Sequence, residues 1–256
     1  MTTRPVALVT GASSGIGREF ARQLAQRGHD LVLVARNEGR LREVADELKQ
    51  SCAAESEVLV ADLSDRPALQ TVADRLGDAG RPVDVLVNNA GFALRRRFLR
   101  SELRDEEAAF DVLVRAVLVL SHAAGRAMSE RHHGIIINVS SVAGFLPSGS
   151  YAAAKAWVTT FTEGLAAELD DTGVTVTALC PGFTHSEFQA RAGLSTPGPD
   201  FMWLDPKDLV ADCLRDVGRG KVVSVPGLQY KAIVGLLDIA PRPLMRRAAQ
   251  IARRRR

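Results

Sequence analysis

Val6-Ala7-Leu8-Val9-Thr10-Gly11-Ala12-Ser13-Ser14-Gly15-Ile16-Gly17 is the stretch from which the rest of the chain is read. Its first five residues predict a short buried strand, and Arg18 to Arg27 carry helical periodicity immediately after it. Between them the glycines permit positive φ and close backbone approach, while the free N–H groups of a helix N-terminus favour a pyrophosphate. A tight turn with no ligand would use the same letters. The strand-loop-helix setting is what favours a nucleotide.

A second strand, Asp30 to Ala35, should end beside the ribose of that nucleotide. An acidic residue there would bind the 2′-hydroxyl of NAD. The strand closes instead on Ala35-Arg36-Asn37. A guanidinium offers a fork of donors suited to a 2′-phosphate, so NADP(H) is favoured over NAD(H), against the plainer reading of a solvated arginine. Further strand-like runs follow at Glu57–Ala61, Val83–Asn88, Ile135–Ser140, Val174–Cys180 and Val222–Val225. Helical patterns begin near Ile16, Asn37, Asp65, Glu102, Tyr151 and Pro206. Several of the strands are apolar throughout, as strands buried on both faces are. The expected fold is α/β, a Rossmann-type doubly wound three-layer (α/β/α) domain on a mostly parallel seven-stranded sheet.

A chain of 256 residues, 46% hydrophobic, can bury one large core, so a single domain is expected over residues 1–230, with a basic, partly apolar tail at 231–256. Cys52, Cys180 and Cys213 stand far apart without metal-ligand spacing, which points to a reducing, cytoplasmic setting and no metal. No signal peptide precedes Val6, and no uninterrupted apolar run approaches membrane-spanning length. The net charge of +3 includes seven arginines in residues 242–256; subtracting those seven leaves −4 for residues 1–241. The basic balance therefore gives no argument for nucleic-acid binding.

With these readings in place the chain resembles the classical short-chain dehydrogenase/reductase family, over roughly Val6 to Phe188. The resemblance rests on the glycine motif, Asp62-Leu63, Asn88-Asn89-Ala90-Gly91, Ser140-Ser141, Tyr151-Ala152-Ala153-Ala154-Lys155 and Pro181-Gly182. Each falls at the C-terminal end of a strand or the start of the next helix, where open α/β sheets bind ligands. The family implies hydride transfer between a nicotinamide and an alcohol or carbonyl carbon. Tyr151 would exchange the proton, Lys155 would lower its pKa and hold the ribose, and Ser141 would bind the substrate oxygen. It further implies cofactor contacts from Gly11, Ser13, Ser14, Gly15, Ile16 and Gly17, from Asp62 and Leu63, from Asn89, Ala90 and Gly91, and from Pro181, Gly182, Thr184 and Ser186. Physically, residues four apart share a helix face. A cation ~4 Å from a phenol supplies ~4 kcal/mol at an effective dielectric of ~20, an upper bound of roughly three pKa units.

Two features depart from the family pattern. Leu113, in Asp111-Val112-Leu113-Val114-Arg115, stands where the family carries a catalytic asparagine, and leucine cannot relay a proton. Ser141 precedes Tyr151 by only ten residues, so Ser140 and Ser148 are alternatives for the serine role. These departures leave open a second reading, a catalytically impaired NADP(H)-binding sensor. Phe188, Leu194, Phe201, Met202, Trp203 and Leu204 fall in the expected substrate lid, 184–205, and suggest a lipophilic substrate such as a steroid or fatty acyl compound, or else they cap the core. Arg95, Arg96, Arg97 and Arg100 mark the expected rim of the site or a solvated face. The family commonly pairs through the helices about Asp105–Arg131 and Tyr151–Asp170, implying a homodimer or homotetramer. The tail joins apolar residues to clustered arginines, the composition of a peripheral contact with an anionic membrane, although Pro241 and Pro243 interrupt it.

Overall fold

In the computed structural model, which describes residues 4–94, 96, 98–187 and 199–240, side chains of successive strand residues enter opposite cores. Ala7 and Val9 pack into one apolar cluster, Val6 and Leu8 into the other. That alternation, with both faces covered, is why the strands read as continuous apolar runs. The strands are β1 (Val6–Thr10), β2 (Asp30–Ala35), β3 (Ser56–Val60), β4 (Val85–Asn88), β5 (Gly134–Val139), β6 (Val174–Leu179) and β7 (Val223–Ser224). They form one sheet in the order β3-β2-β1-β4-β5-β6-β7, and every pairing is parallel. The expected doubly wound α/β fold is therefore present. β7 is shorter than its apolar run because it pairs only along Ala178 and Leu179 at the sheet edge.

Helices α1 (Gly15–Gln26), α2 (Glu38–Cys52) and α7 (Pro206–Val217) supply one layer. Helices α3 (Arg66–Leu76), α5 (Ala116–Glu130) and α6 (Gly149–Glu168) cover the other face. Their starts follow local chemistry. Asn37, Asp65 and Asp205 each accept a hydrogen bond from a first-turn amide, and Pro67 and Pro206 occupy positions where a missing N–H costs nothing. Helix α4 (Leu103–Phe110) runs through a π-turn (Asp111–Arg115) into α5, so Leu103–Glu130 forms one helical run of 28 residues. It is long and apolar enough to cross a membrane, but it packs on the sheet through Val112, Ala116, Leu120 and Ala124. A last helix, α8 (Leu228–Ile239), is formed by residues read from the sequence as the beginning of the tail. The arginine-rich end, 242–256, lies outside the described residues.

Candidate active site

The sheet order reverses direction between β1 and β4, and the loops after these two strands are bolted together. Thr10 donates its hydroxyl to the Val87 carbonyl and accepts from the amides of Asn89 and Ala90 at 2.9 and 3.0 Å. The Asn89 side chain returns to the Thr10 carbonyl at 2.9 Å. Gly17 sits under this joint: a Cβ there would lie 2.3 Å from the Gly11 oxygen and 2.4 Å from Asn89 Nδ2. Gly11, at φ +67°, makes the turn that a side chain would strain.

Beyond the turn, the Ser14 side chain makes no capping hydrogen bond to the start of α1, and no acidic residue falls in its first turn. Its amides and positive dipole end are directed into the loop, an arrangement that suits a pyrophosphate. Ser13, Ser14, Gly15, Arg18, Arg40, Glu43 and Glu187 enclose a cavity of 210 Å³ beside it. Arg36 is exposed at the end of β2, 3.8 Å from the Asp62 carboxylate. Burial works to raise the Asp62 pKa, but the Ser64 amide and hydroxyl, followed by Arg36, bring it below the usual value. Leu63 is buried beside it. Arg40 and Glu187 form an ion pair at 2.9 Å. A second guanidinium thus lines the cavity beside the loop, which sequence reading missed because only folding brings α2 next to residue 187. These residues fit a dinucleotide: an uncapped helix end for the diphosphate, and cations near the ribose.

The candidate reacting centre is assembled from the end of β5 and from α6. Ser141 follows β5; its hydroxyl accepts from the Ala143 amide at 3.1 Å, donates to the Pro181 carbonyl at 3.4 Å and lies by the Tyr151 phenol. Burial pushes the Tyr151 pKa up to about 12, and Ser141 opposes that rise. Lys155 lies one turn further along α6, 5% exposed, with Nζ 5.9 Å from the centre of the Tyr151 ring. Its ammonium donates to the Val139 carbonyl at 2.7 Å, and burial lowers its pKa to about 8. The three serines separate clearly. Ser140 is buried and donates to the Lys155 carbonyl at 2.7 Å, whereas Ser148 is exposed ahead of α6. Of the three, Ser141 is the one whose hydroxyl acts on the Tyr151 phenol.

The strap after β6 closes the other side. Val142 donates to the Pro181 carbonyl at 3.0 Å, Thr184 bonds the Gly182 carbonyl at 3.0 Å, and Ser186 lies against Gly15. Phe183, His185 and Trp203 stack with ring centres 5.5 and 5.1 Å apart. Residues 188–198, including Phe188 and Leu194 of the expected lid, lie outside the described residues, as do Arg95 and Arg97. A cleft of 690 Å³ reaches Tyr151 from the α4 side, past Phe92, Arg96, Phe110 and Leu113. Leu113 is buried in the π-turn and packs against Gly91, where a Cβ would come within 2.9 Å of its Cδ2. Behind the centre, Asn88, Ser121, Asn138 and Thr162 form a buried chain of hydrogen bonds that pairs β4 with β5 and α6.

A family model described as short chain dehydrogenase matches residues 5–195. The chain belongs to the short-chain dehydrogenase/reductase family, and it is an oxidoreductase of that class. It is 38% identical over 213 residues to sulfoacetaldehyde reductase 2 of Chromohalobacter salexigens, covering 81% of this chain and 84% of the relative. Among solved structures it superimposes on a short-chain dehydrogenase from Sphingobium yanoikuyae in complex with NADPH, with TM-score 0.86 and 36% identity over 94% of this chain and 95% of that one. The bulky-bulky ketone specific alcohol dehydrogenase from Comamonas testosteroni is similar at TM-score 0.80 and 31% identity, over 94% and 96% of the two chains.

Proposed function

We propose that the protein interconverts a secondary alcohol and a ketone with NADP(H), on a lipophilic substrate. The observation that carries this reading is the grouping of Ser141, Tyr151 and Lys155 beside the Pro181–Ser186 strap, at the edge of the sheet that also presents the uncapped end of α1. A bound nicotinamide would supply or accept the hydride. Tyr151 holds the proton exchanged with the substrate oxygen, and Ser141, beside that phenol, orients the same oxygen. Lys155 anchors α6 to the end of β5 and places a cation where the cofactor ribose would lie.

Arg36 and Arg40 support a preference for NADP(H), together with the NADPH bound in the Sphingobium relative. The stacked Phe183 and Trp203 support an apolar substrate, as does the bulky ketone specificity named for the Comamonas enzyme. The activity named for the Chromohalobacter relative, on a small anionic aldehyde, makes the opposing case. A carbonyl panel with NADPH and with NADH decides both points. Faster turnover of bulky ketones with NADPH is the expected result, and preference for small polar aldehydes would overturn the lipophilic assignment.

Leu103, Phe110 and Leu118 are exposed along α4 and α5, which supports pairing of two copies through these helices and α6. Sedimentation of the purified protein tests it. Leu228, Leu236 and Ile239 are exposed on α8 ahead of the arginines and support a peripheral contact with an anionic bilayer, tested by liposome binding with and without residues 242–256.

A further inference from the structure

Helix α8 is largely exposed, and Lys231, Gly235, Leu236 and Ile239 face outward, yet Tyr230 on the same helix is 2% exposed. Its phenol oxygen uses both of its capacities on main chain. It accepts from the Phe183 amide at 2.9 Å and donates to the Met202 carbonyl at 2.6 Å. The ring lies flush against Gly182, where a Cβ would fall 2.0 Å from Cζ. Its three contacts thus converge on two stretches, Gly182–Phe183 and Met202.

Those two stretches are themselves paired. Leu204 donates to the Phe183 carbonyl at 2.8 Å, His185 donates to the Leu204 carbonyl at 3.0 Å, and Trp203 stacks on both Phe183 and His185. The unit continues into the reacting centre, because the Pro181 carbonyl accepts from the Val142 amide next to Ser141. We propose that Tyr230 is a positioning residue: its phenol holds Phe183 and Met202 in register and its ring seats Gly182, so the strap opposite Ser141 and Tyr151 keeps its place. This rests on the reading of the strap as the nicotinamide and substrate side of the site. Phenylalanine would fill the same space, so the hydroxyl is needed only for the two main-chain groups. Without it, a partly buried amide and a carbonyl lose their partner, and the strap must shift to recover one from water.

The test is Tyr230→Phe in the full chain, read by hydrogen exchange of peptides covering 181–187 and 199–205, by NADPH affinity, and by the KM and kcat of a carbonyl substrate. The expected result is exchange faster by about tenfold in those two peptides and little changed elsewhere, with NADPH affinity or substrate KM weakened by several-fold and kcat affected less. Unchanged exchange in both peptides would overturn the proposal. So would faster exchange with neither NADPH affinity nor KM moved, since the hydroxyl would then be only a fold contact. If Tyr230→Phe does not fold, Gly182→Ala displaces the ring from the opposite side and must loosen the same two peptides. Should the wild type reduce no carbonyl compound, the assigned activity fails, while the exchange and NADPH arms still decide the role of Tyr230.

Discussion

The Lys155 ammonium donates to the Val139 carbonyl at 2.7 Å, tying the first half of α6 to the last residue of β5. Burial lowers its pKa to about 8, against an ordinary value of 10.5 in the unfolded chain. Between these two values the unfolded chain binds more protons than the folded one, so stability rises with pH from about 8. Tyr151 acts in the opposite sense above about pH 10, where the unfolded phenol ionises and the folded one, held near 12, does not. The wild type should therefore gain stability relative to Lys155→Met between pH 8 and 10, by roughly 1.4 kcal/mol per unit at most. Denaturant unfolding across that range measures it, and parallel curves for the two proteins would show that the ammonium is not held as described. The same substitution should lower kcat/KM by ~10² or more.

Removing the Ser141 hydroxyl takes away the polar group that opposes the rise of the Tyr151 pKa. Ser141→Ala should lower kcat by ~10² and leave NADPH affinity nearly unchanged, because the serine touches the phenol rather than the phosphate loop. Ser140→Ala should behave differently. It breaks buried bonds to Lys155 and Thr159 and should cost ~1–3 kcal/mol of stability, read by denaturant unfolding.

Arg36 at the end of β2 and Arg40 beside the glycine loop each already face a carboxylate, Asp62 and Glu187. Arg36→Ala and Arg40→Ala should each weaken NADPH binding by ~10-fold and leave NADH binding within about twofold, as expected for charge-assisted bonds to a 2′-phosphate. Fluorescence titration with both nucleotides gives the comparison. Equal losses for the two would remove the basis for the NADP(H) preference.

Leu113 fills the space beside Gly91 and packs with Ala109, Val114 and Ala154. Leu113→Asn would bury an amide in an apolar cluster. It should lower stability by ~1–3 kcal/mol with no gain in kcat. A gain in kcat would mean that a proton relay behind Lys155 can be restored by that one residue.

Much of this was legible in the chain order. Strand ends fell within two residues of the apolar runs because strands buried on both faces carry an unbroken signal, and helix starts were marked by Asn37, Asp65 and Pro206. The motifs at strand ends were legible for the same reason, being short and local. Tyr230 was not. It stood at the last position of the expected domain, just ahead of the tail, and nothing next to it in sequence records that Gly182 and Met202 lie against its ring and hydroxyl. Nor was the Arg40–Glu187 pair, whose members are 147 positions apart.

By itself the sequence determined the doubly wound sheet, the phosphate loop at its switch point and the residue types available for acid–base chemistry. Periodicity and glycine placement are local properties, and local propensity decides them. Only the tertiary structure decided which of the three serines lies by Tyr151, that the Lys155 ammonium donates to the Val139 carbonyl, and that the Tyr230 hydroxyl meets Phe183 and Met202. Those outcomes depend on burial and on hydrogen-bond partners drawn from distant segments, and these exist only once the layers have packed.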